Sequence, residues 1–388
     1  VGSGVVEVIQ TNGKVIDKRI GDNLEVKYVL DLREFPGTPV EKLITHNFDD
    51  ILQDEEVKIV VEVMGGIEPA YTFVKKSLLA GKSVVTSNKA LVAKHGAELL
   101  AIAKENKLNF LYEASVGGGI PIIRPLTSSL TGDEIEEITG ILNGTTNYMM
   151  SKMYYENADY DAVLKEAQAM GYAERDPSAD VEGHDACRKI AILSSIISGK
   201  LVDFEDIYTE GITEVSLEDI QYAKAMDMKI KLLASCKRSG EKLCAIVAPH
   251  LVAKSHPLYN IEDVFNAIFV KGNMLGDSMF YGSGAGKLPT ASAVAGDIVE
   301  AAKVTGNTGH FWTEEKLTLA DISTVENKFF VRTTASAEEV KAVFGDVAVM
   351  DDVADGEIGF VTAAMSEAAY AENAAKLSGI ISMIRVEG

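Results

Sequence analysis

From residue 25 to residue 114 the apolar positions come in short β-rich runs: EVKYVL (25–30), KIVVEV (58–63), KSVVTS (82–87) and LNFLYEA (108–114). Continuous β-rich runs of this length predict strands buried on both faces, and sheets covered on both faces are parallel. Between the later runs, EPAYTFVKKSLLA (68–80) and HGAELLAIAKEN (95–106) read as helices. Strand–helix alternation predicts an α/β, doubly wound parallel sheet over residues 1–115. Such a sheet binds ligand at the carboxyl ends of its strands. The chain opens on VGSGVVEVIQ, which reads as a helix already under way. If Gly2 is the third glycine of a G-x-G-x-x-G turn, Val1 and Gly2 face a cofactor, and the first strand and two glycines are absent from the sequence.

The pattern changes over residues 116–289, the expected substrate and dimerisation domain. EIEEITGILNG (134–144) predicts a strand running into a turn, and DYDAVLKEAQAM (159–170) and VEGHDACRKIAILSSIIS (181–198) predict helices. KIKLLASCK (229–237), KLCAIVAPHLV (242–252), NAIFVKGN (266–273) and DSMFYGS (277–283) predict strands. Strands and helices without strict alternation indicate an α+β domain. PTASAVAGDIVEAAKV (289–304) is a helix with Pro in its first turn, and residues 290–320 are expected to pack back on the nucleotide domain. Residues 327–388 run βαββαβ, the ferredoxin-like plan.

Composition narrows the function. At 47% hydrophobic and 24% charged over 388 residues the chain has ample core for two or three domains. A net charge of −21 argues against a nucleic-acid or anionic-membrane partner, since either needs a basic patch. No run reaches the roughly 18 apolar residues of a membrane span. Cys187, Cys236 and Cys244 form no C-x-x-C pair, which suits a reduced, cytoplasmic protein.

Chemistry concentrates in EAQAMGYAERDPSADVEGHDACRK (166–189). Asp185 and Lys189, four apart on a helix, share one face. A surface ion pair is the simple reading. Against it, the helix continues into small and apolar residues, and a lysine at an apolar wall can serve as proton donor and acceptor. Glu174 and Asp180 are candidate partners for a substrate ammonium, and the turn at DPS (176–178) folds Glu174 back over the helix. TSNKALVAKHG (86–96) follows a strand, so Thr86, Asn88 and Lys89 face cofactor and substrate, or Asn88 simply caps a helix. In VMGGIEP (63–69), Gly65 and Gly66 let backbone approach a cofactor. EASVGGGIPII (113–123) is either a hinge or a hard-cation site of carbonyl oxygens and one carboxylate. YGSGAGKLPTASA (281–293) joins a strand to a helix through glycines, as a phosphate rest or a tight turn.

These blocks together resemble homoserine dehydrogenase. AQAMGYAERDPSADVEGHDACRK (167–189) fits that family's signature, and TSNKALVA, EASVGGGIPII, GILNGTTNYM and GAGKLPTASAV are similar to its other hallmark blocks, in order, over residues 1 to about 325. The resemblance implies a Rossmann-like domain and interconversion of L-homoserine and L-aspartate 4-semialdehyde with NAD or NADP, on the route to threonine, methionine and isoleucine. It implies that Lys189 moves the proton at the carbinol oxygen, that Asp185 and Glu174 hold substrate, and that Lys89 lies near substrate and nicotinamide. Lys89 is a candidate for the substrate carboxylate. Glu113, with the backbone oxygens of Val116, Gly118 and Ile120, matches the family's monovalent-cation site, usually sodium. Gly171, Gly284 and Gly286 match cofactor contacts, and a homodimer or homotetramer is implied.

Departures from the family pattern bear on two points. Asp31, at the end of the second strand, favours the ribose hydroxyl of NAD, while Leu30 stands where the family often has Arg and Arg33 partly offsets the acid. The C-terminal module resembles an ACT domain in strand order, but TTASAEEV (333–340) replaces the Asp-x-Pro-Gly loop, so a dimerising role is expected as readily as threonine binding. Two alternatives stand beside the dehydrogenase: a reductase of another small semialdehyde, and a non-catalytic amino-acid or nucleotide sensor.

Overall fold

A computed structural model describes residues 1–304, 306 and 312–388. Helix α1 (Gly2–Ile20) opens the chain and stops at Gly21, whose φ of 82° is a left-handed cap open to glycine. There follow β1 (Val29–Leu30), β2 (Ile44–Thr45), α2 (Phe48–Gln53), β3 (Ile59–Glu62), α3 (Ala70–Leu79), β4 (Ser83–Thr86), α4 (Lys89–Glu105) and β5 (Phe110–Leu111). All strand pairs here are parallel: β1 with β2, and β3 with β4 with β5. The four residues of β4 are buried, as an unbroken apolar run requires of a sheet covered on both faces.

Two expected strands are shorter than their apolar runs. Only Val29 and Leu30 of the run 25–30 join a ladder. A cavity of about 1610 Å³ is lined by residues of both β1 and β3, among them Val29, Leu30, Ile59 and Val61. Residues 25–28 border that cavity and pair with no strand among the described residues. The run 108–114 contributes only β5, then turns into a 3₁₀ segment at Glu113–Ser115. Helix α4 starts six residues before its expected beginning, because Asn88 caps it.

The chain continues with β6 (Ile135–Ile141), α5 (Gly144–Glu156), α6 (Tyr160–Ala169), α7 (Ser178–Val181), α8 (His184–Ser198), β7 (Lys200–Leu201), β8 (Tyr208–Thr209) and α9 (Leu217–Ala225). The helix expected over 181–198 is divided at Gly183, where φ is 84°. Helix α5 was not signalled by periodicity: Thr145 to Ser151 are all buried, so it shows no polar face. Next come β9 (Met228–Ser239), β10 (Lys242–Ala253), β11 (Phe265–Gly272), β12 (Gly276–Ser283), α10 (Lys287–Lys303) and β13 (Thr313–Lys316). The C-terminal stretch is β14 (Glu326–Thr333), α11 (Ala337–Phe344), β15 (Val349–Met350), β16 (Ile358–Val361), β17 (Met365–Ser366), α12 (Glu367–Ala374) and β18 (Ile380–Glu387).

By packing, Val1–Thr131, Ser195–Leu201 and Ser283–Leu317 form one unit. Gly132–Ser194, Val202–Gly282 and Thr318–Gly388 form the other. In the first, α1 and α10 contribute Val5, Ile9, Ala291, Val294 and Ile298 to a core over Val85. Residues 305 and 307–311 of the returning segment 290–320 lie outside the described residues. The second unit is built on a mixed sheet of order β12-β11-β6-β9-β10-β18-β14-β16-β15. Its last four strands keep the ferredoxin-like order, with β14 antiparallel to both β18 and β16. Parallel pairing of β18 with β10 makes that module continuous with the sheet of the substrate segment.

Candidate active site

In the second unit, β6 is followed directly by Leu142 and Asn143, and α5 begins immediately after. Lys189 Nζ donates to the Leu142 carbonyl and to Asp185 Oδ2, both at 2.7 Å. Asp185 is 3% exposed and Lys189 8%, so the four-residue spacing is not a surface ion pair. Burial of two opposite charges costs desolvation unless hydrogen bonds satisfy them. One such bond comes from a residue that spacing alone did not single out. Asn143 Nδ2 donates to Asp180 Oδ1 at 2.7 Å and to Asp185 Oδ2 at 2.9 Å, while its Oδ1 accepts the Thr146 N–H at 2.9 Å as the N-cap of α5. Asp180 and Asp185 are thus brought together. Asn before a helix is an N-cap signal in sequence, but its two distant acids are not.

Glu174 is placed otherwise. The turn forms as expected, with Ser178 N and Oγ donating to Asp176 Oδ1 at 3.2 and 2.7 Å. Glu174 stays exposed on it, and no hydrogen bond ties its carboxylate to Asp185 or Lys189 among the described residues. Gly171, at φ 75°, is exposed, and the carbonyl of neighbouring Tyr172 accepts Thr145 Oγ1 at 2.7 Å.

In the first unit the carboxyl ends of β3 and β4 meet. Glu62 Oε2 accepts the Thr86 hydroxyl at 2.5 Å and Oε1 accepts the Met64 N–H at 2.6 Å. Burial pushes the Glu62 carboxyl above the ordinary carboxylate range, opposed by these bonds. Asn88 Oδ1 accepts the Leu91 N–H at 3.1 Å, so the cap reading holds, and Nδ2 donates to the Gly66 carbonyl at 2.6 Å. Thr86, Asn88, Gly65 and Gly66 therefore form one connected crest, with half-buried Lys89 as the first residue of α4. A Cβ built on Gly65 or Gly66 meets nothing within 4 Å, so a ligand has room there.

Val1 and Gly2 form the first turn of α1, which has no side-chain cap and no acidic residue in that turn. A first turn without an acidic side chain fits a pyrophosphate. Arg33 clamps Asp31 with Nε on Oδ1 and Nη2 on Oδ2, both at 3.0 Å, which lowers the carboxyl to about 2.

Gly118 (φ 56°) lies against the Gly284 carbonyl, 2.3 Å from where a Cβ would stand, and Gly286 (φ 118°) is the N-cap of α10. Val116 and Ile120 are buried. The Glu113 carboxylate accepts the N–H groups of Ile122, Ile123 and Arg124 at 2.6, 2.9 and 2.7 Å. Its side chain braces the glycine loop, leaving backbone carbonyls as the donor set for a hard cation. No cluster of three or more His, Cys, Asp or Glu residues suited to a metal occurs among the described residues. No helix among them is long and apolar enough to cross a membrane.

The homoserine dehydrogenase NAD-binding domain model matches residues 1–113, and the homoserine dehydrogenase model matches residues 121–299. A homoserine dehydrogenase of Bacillus subtilis is 43% identical over 315 residues, 79% of this chain and 73% of its own. The crystal structure of a homoserine dehydrogenase from Thiobacillus denitrificans aligns with a TM-score of 0.90 at 34% identity, covering 100% of this chain and 96% of that one. A hyperthermophilic archaeal homoserine dehydrogenase in complex with NADPH aligns at TM-score 0.67 and 29% identity, over 78% of this chain and 94% of its own.

Proposed function

The chain belongs to the homoserine dehydrogenase family, and we propose that the residues just described divide that family's reaction among them. The protein is an NAD(P)-dependent oxidoreductase that interconverts L-homoserine and L-aspartate 4-semialdehyde in aspartate-derived amino-acid synthesis. When bound, the dinucleotide supplies or accepts the hydride. Lys189 Nζ takes the hydroxyl proton of homoserine during oxidation and returns one to the carbonyl oxygen during reduction. Asp185 and the Leu142 carbonyl hold that amine in place. Asp185, Asp180 and Glu174 present negative charge to the substrate ammonium, and Lys89 takes its carboxylate. The buried Asp185–Lys189 pair carries this reading: sequestering a lysine with one acid and one carbonyl serves proton transfer better than surface stability.

On the cofactor side, the first turn of α1, the Gly65–Gly66 turn, Thr86, Asn88, Lys89, Gly171, Gly284 and Gly286 would hold the dinucleotide. Asp31 favours NAD, and Arg33 provides for NADP when it leaves Asp31 for a 2′-phosphate. The loop at Glu113, Val116, Gly118 and Ile120 would hold a sodium ion through its backbone carbonyls. Exposed Met279 and Tyr281 on edge strand β12, with Phe265, Met274 and Leu275 nearby in sequence, support assembly as a homodimer or homotetramer. Three buried free cysteines suit the cytoplasm.

The test is direct. Purified protein with L-homoserine and NAD or NADP reduces the nicotinamide, and the faster cofactor answers the Asp31–Arg33 question. Lys189→Ala keeps its fold and loses about 10²–10⁴-fold in turnover. Full activity in that variant would remove Lys189 from the mechanism.

A further inference from the structure

The Asn143 side chain is hydrogen-bonded at once to a helix start and to two acids of the Lys189 cluster. Its amide is used completely. Oδ1 accepts from Thr146 N and from Thr146 Oγ1, at 2.9 and 3.0 Å, and the two Nδ2 hydrogens go to Asp180 and Asp185. This fixes the amide orientation, because the reverse would aim an oxygen at two carboxylates. Asn143 is 6% exposed, so water does not substitute for it freely. Its donor and Lys189 Nζ converge on the same oxygen, Asp185 Oδ2.

We propose that Asn143 is a positioning residue for the proton transfer: it locks Asp185 Oδ2 beneath Lys189 by tying that oxygen to the rigid end of β6 and the first turn of α5. The inference rests on the assignment of proton transfer to Lys189. A neutral amide suits the task. It holds Asp180 and Asp185 side by side without adding a cation that would compete with Lys189 or with a substrate ammonium. The same junction supplies the Leu142 carbonyl, so both acceptors of the lysine are set by two consecutive residues. The second unit turns Asp185 from α8 and Asp180 from α7 towards this point. Of the charged neighbours on α8, Arg188 lies over the Phe204 ring and His184 bonds Glu182.

Two variants separate positioning from capping. Asp and Ser cap helices about as well as Asn. Asn143→Ser keeps the cap and loses the bridge between the acids. Asn143→Asp keeps the cap and puts a third carboxylate beside Lys189, which favours the ammonium. Both variants are expected to fold, with a lowered melting temperature, and to lose at least about tenfold in kcat for homoserine oxidation. In Asn143→Asp the alkaline-rising limb of kcat against pH should also move up by about one unit, since oxidation needs the neutral amine. If Asn143→Asp fails to fold, the kcat of Asn143→Ser decides. Wild-type kcat and pH profile in both variants, with Lys189→Ala inactive, would overturn the role of Asn143 alone. An active Lys189→Ala would overturn the lysine assignment and this inference with it.

Discussion

Asp297, fully sequestered on α10, shows how a single residue can tie stability to pH. Its Oδ2 accepts the Glu113 N–H at 2.8 Å and its Oδ1 accepts from Arg124, yet burial and then the neighbouring Glu113 charge push its carboxyl up to about 7. A carboxyl raised above its ordinary 3.8 holds its proton more tightly in the folded chain than in the unfolded one. Its stabilising effect is therefore complete below about pH 4 and is lost as pH rises through about 7. Asn cannot titrate, so the melting temperature of Asp297→Asn minus that of the wild type should become more positive between those limits. A constant difference would mean that Asp297 stays ionised throughout. Nothing in AVAGDIVEAA marks this aspartate, because its partners lie more than 170 positions away, in a loop that sequence reading assigned to a cation.

Among elements, the close approach of the 116–120 loop to the 284–286 turn depends on one missing side chain. Gly118 combines a left-handed φ of 56° with a Cβ position 2.3 Å from the Gly284 carbonyl. Gly118→Ala carries about 1–2 kcal/mol of backbone strain and a backbone clash as well. It should lower the melting temperature and weaken dinucleotide binding in a titration. Gly13→Ala, in the middle of α1 with nothing within 4 Å, should instead stabilise by roughly 0.5–1 kcal/mol. Equal effects from the two would discount the close approach. Elements were readable in sequence where local chemistry sets them: β4, α6 and β9 to β12 fall within one or two residues of their apolar runs. Helix α5 and the split before α8 were not, the first because it is buried on all sides and the second because it turns on Gly183.

At the scale of the molecule, the C-terminal βαββαβ stretch is anchored into the second unit by buried ion pairs. Arg332, 4% exposed on β14, donates to Asp219 at the start of α9 and to Glu357, each at 2.8 Å. Asp219 is wholly buried, and Ser382 on β18 also donates to it, at 2.6 Å. Arg385 on β18 similarly joins Glu367 and Glu210. Removing one member of such a pair leaves an uncompensated charge, so Arg332→Ala should cost about 3–5 kcal/mol. In urea the ferredoxin-like stretch and the rest of the second unit should unfold in one transition, followed by near-UV dichroism. A separate early transition of residues 327–388 would show that the shared sheet does not couple them.

Sequence by itself determined what depends on neighbours within a few positions. Valine-rich runs make a buried parallel sheet, and Asp185 lies one turn from Lys189. The family resemblance, spread over several blocks, extended this to the reaction. Only the tertiary structure decided that β18 lies parallel to β10 and that Leu142 and Asn143 close on the lysine pair. Those outcomes join groups tens to hundreds of residues apart. A strand edge, a carbonyl or an amide carries the same local signature whatever partner it finds, so the choice among partners is made by packing.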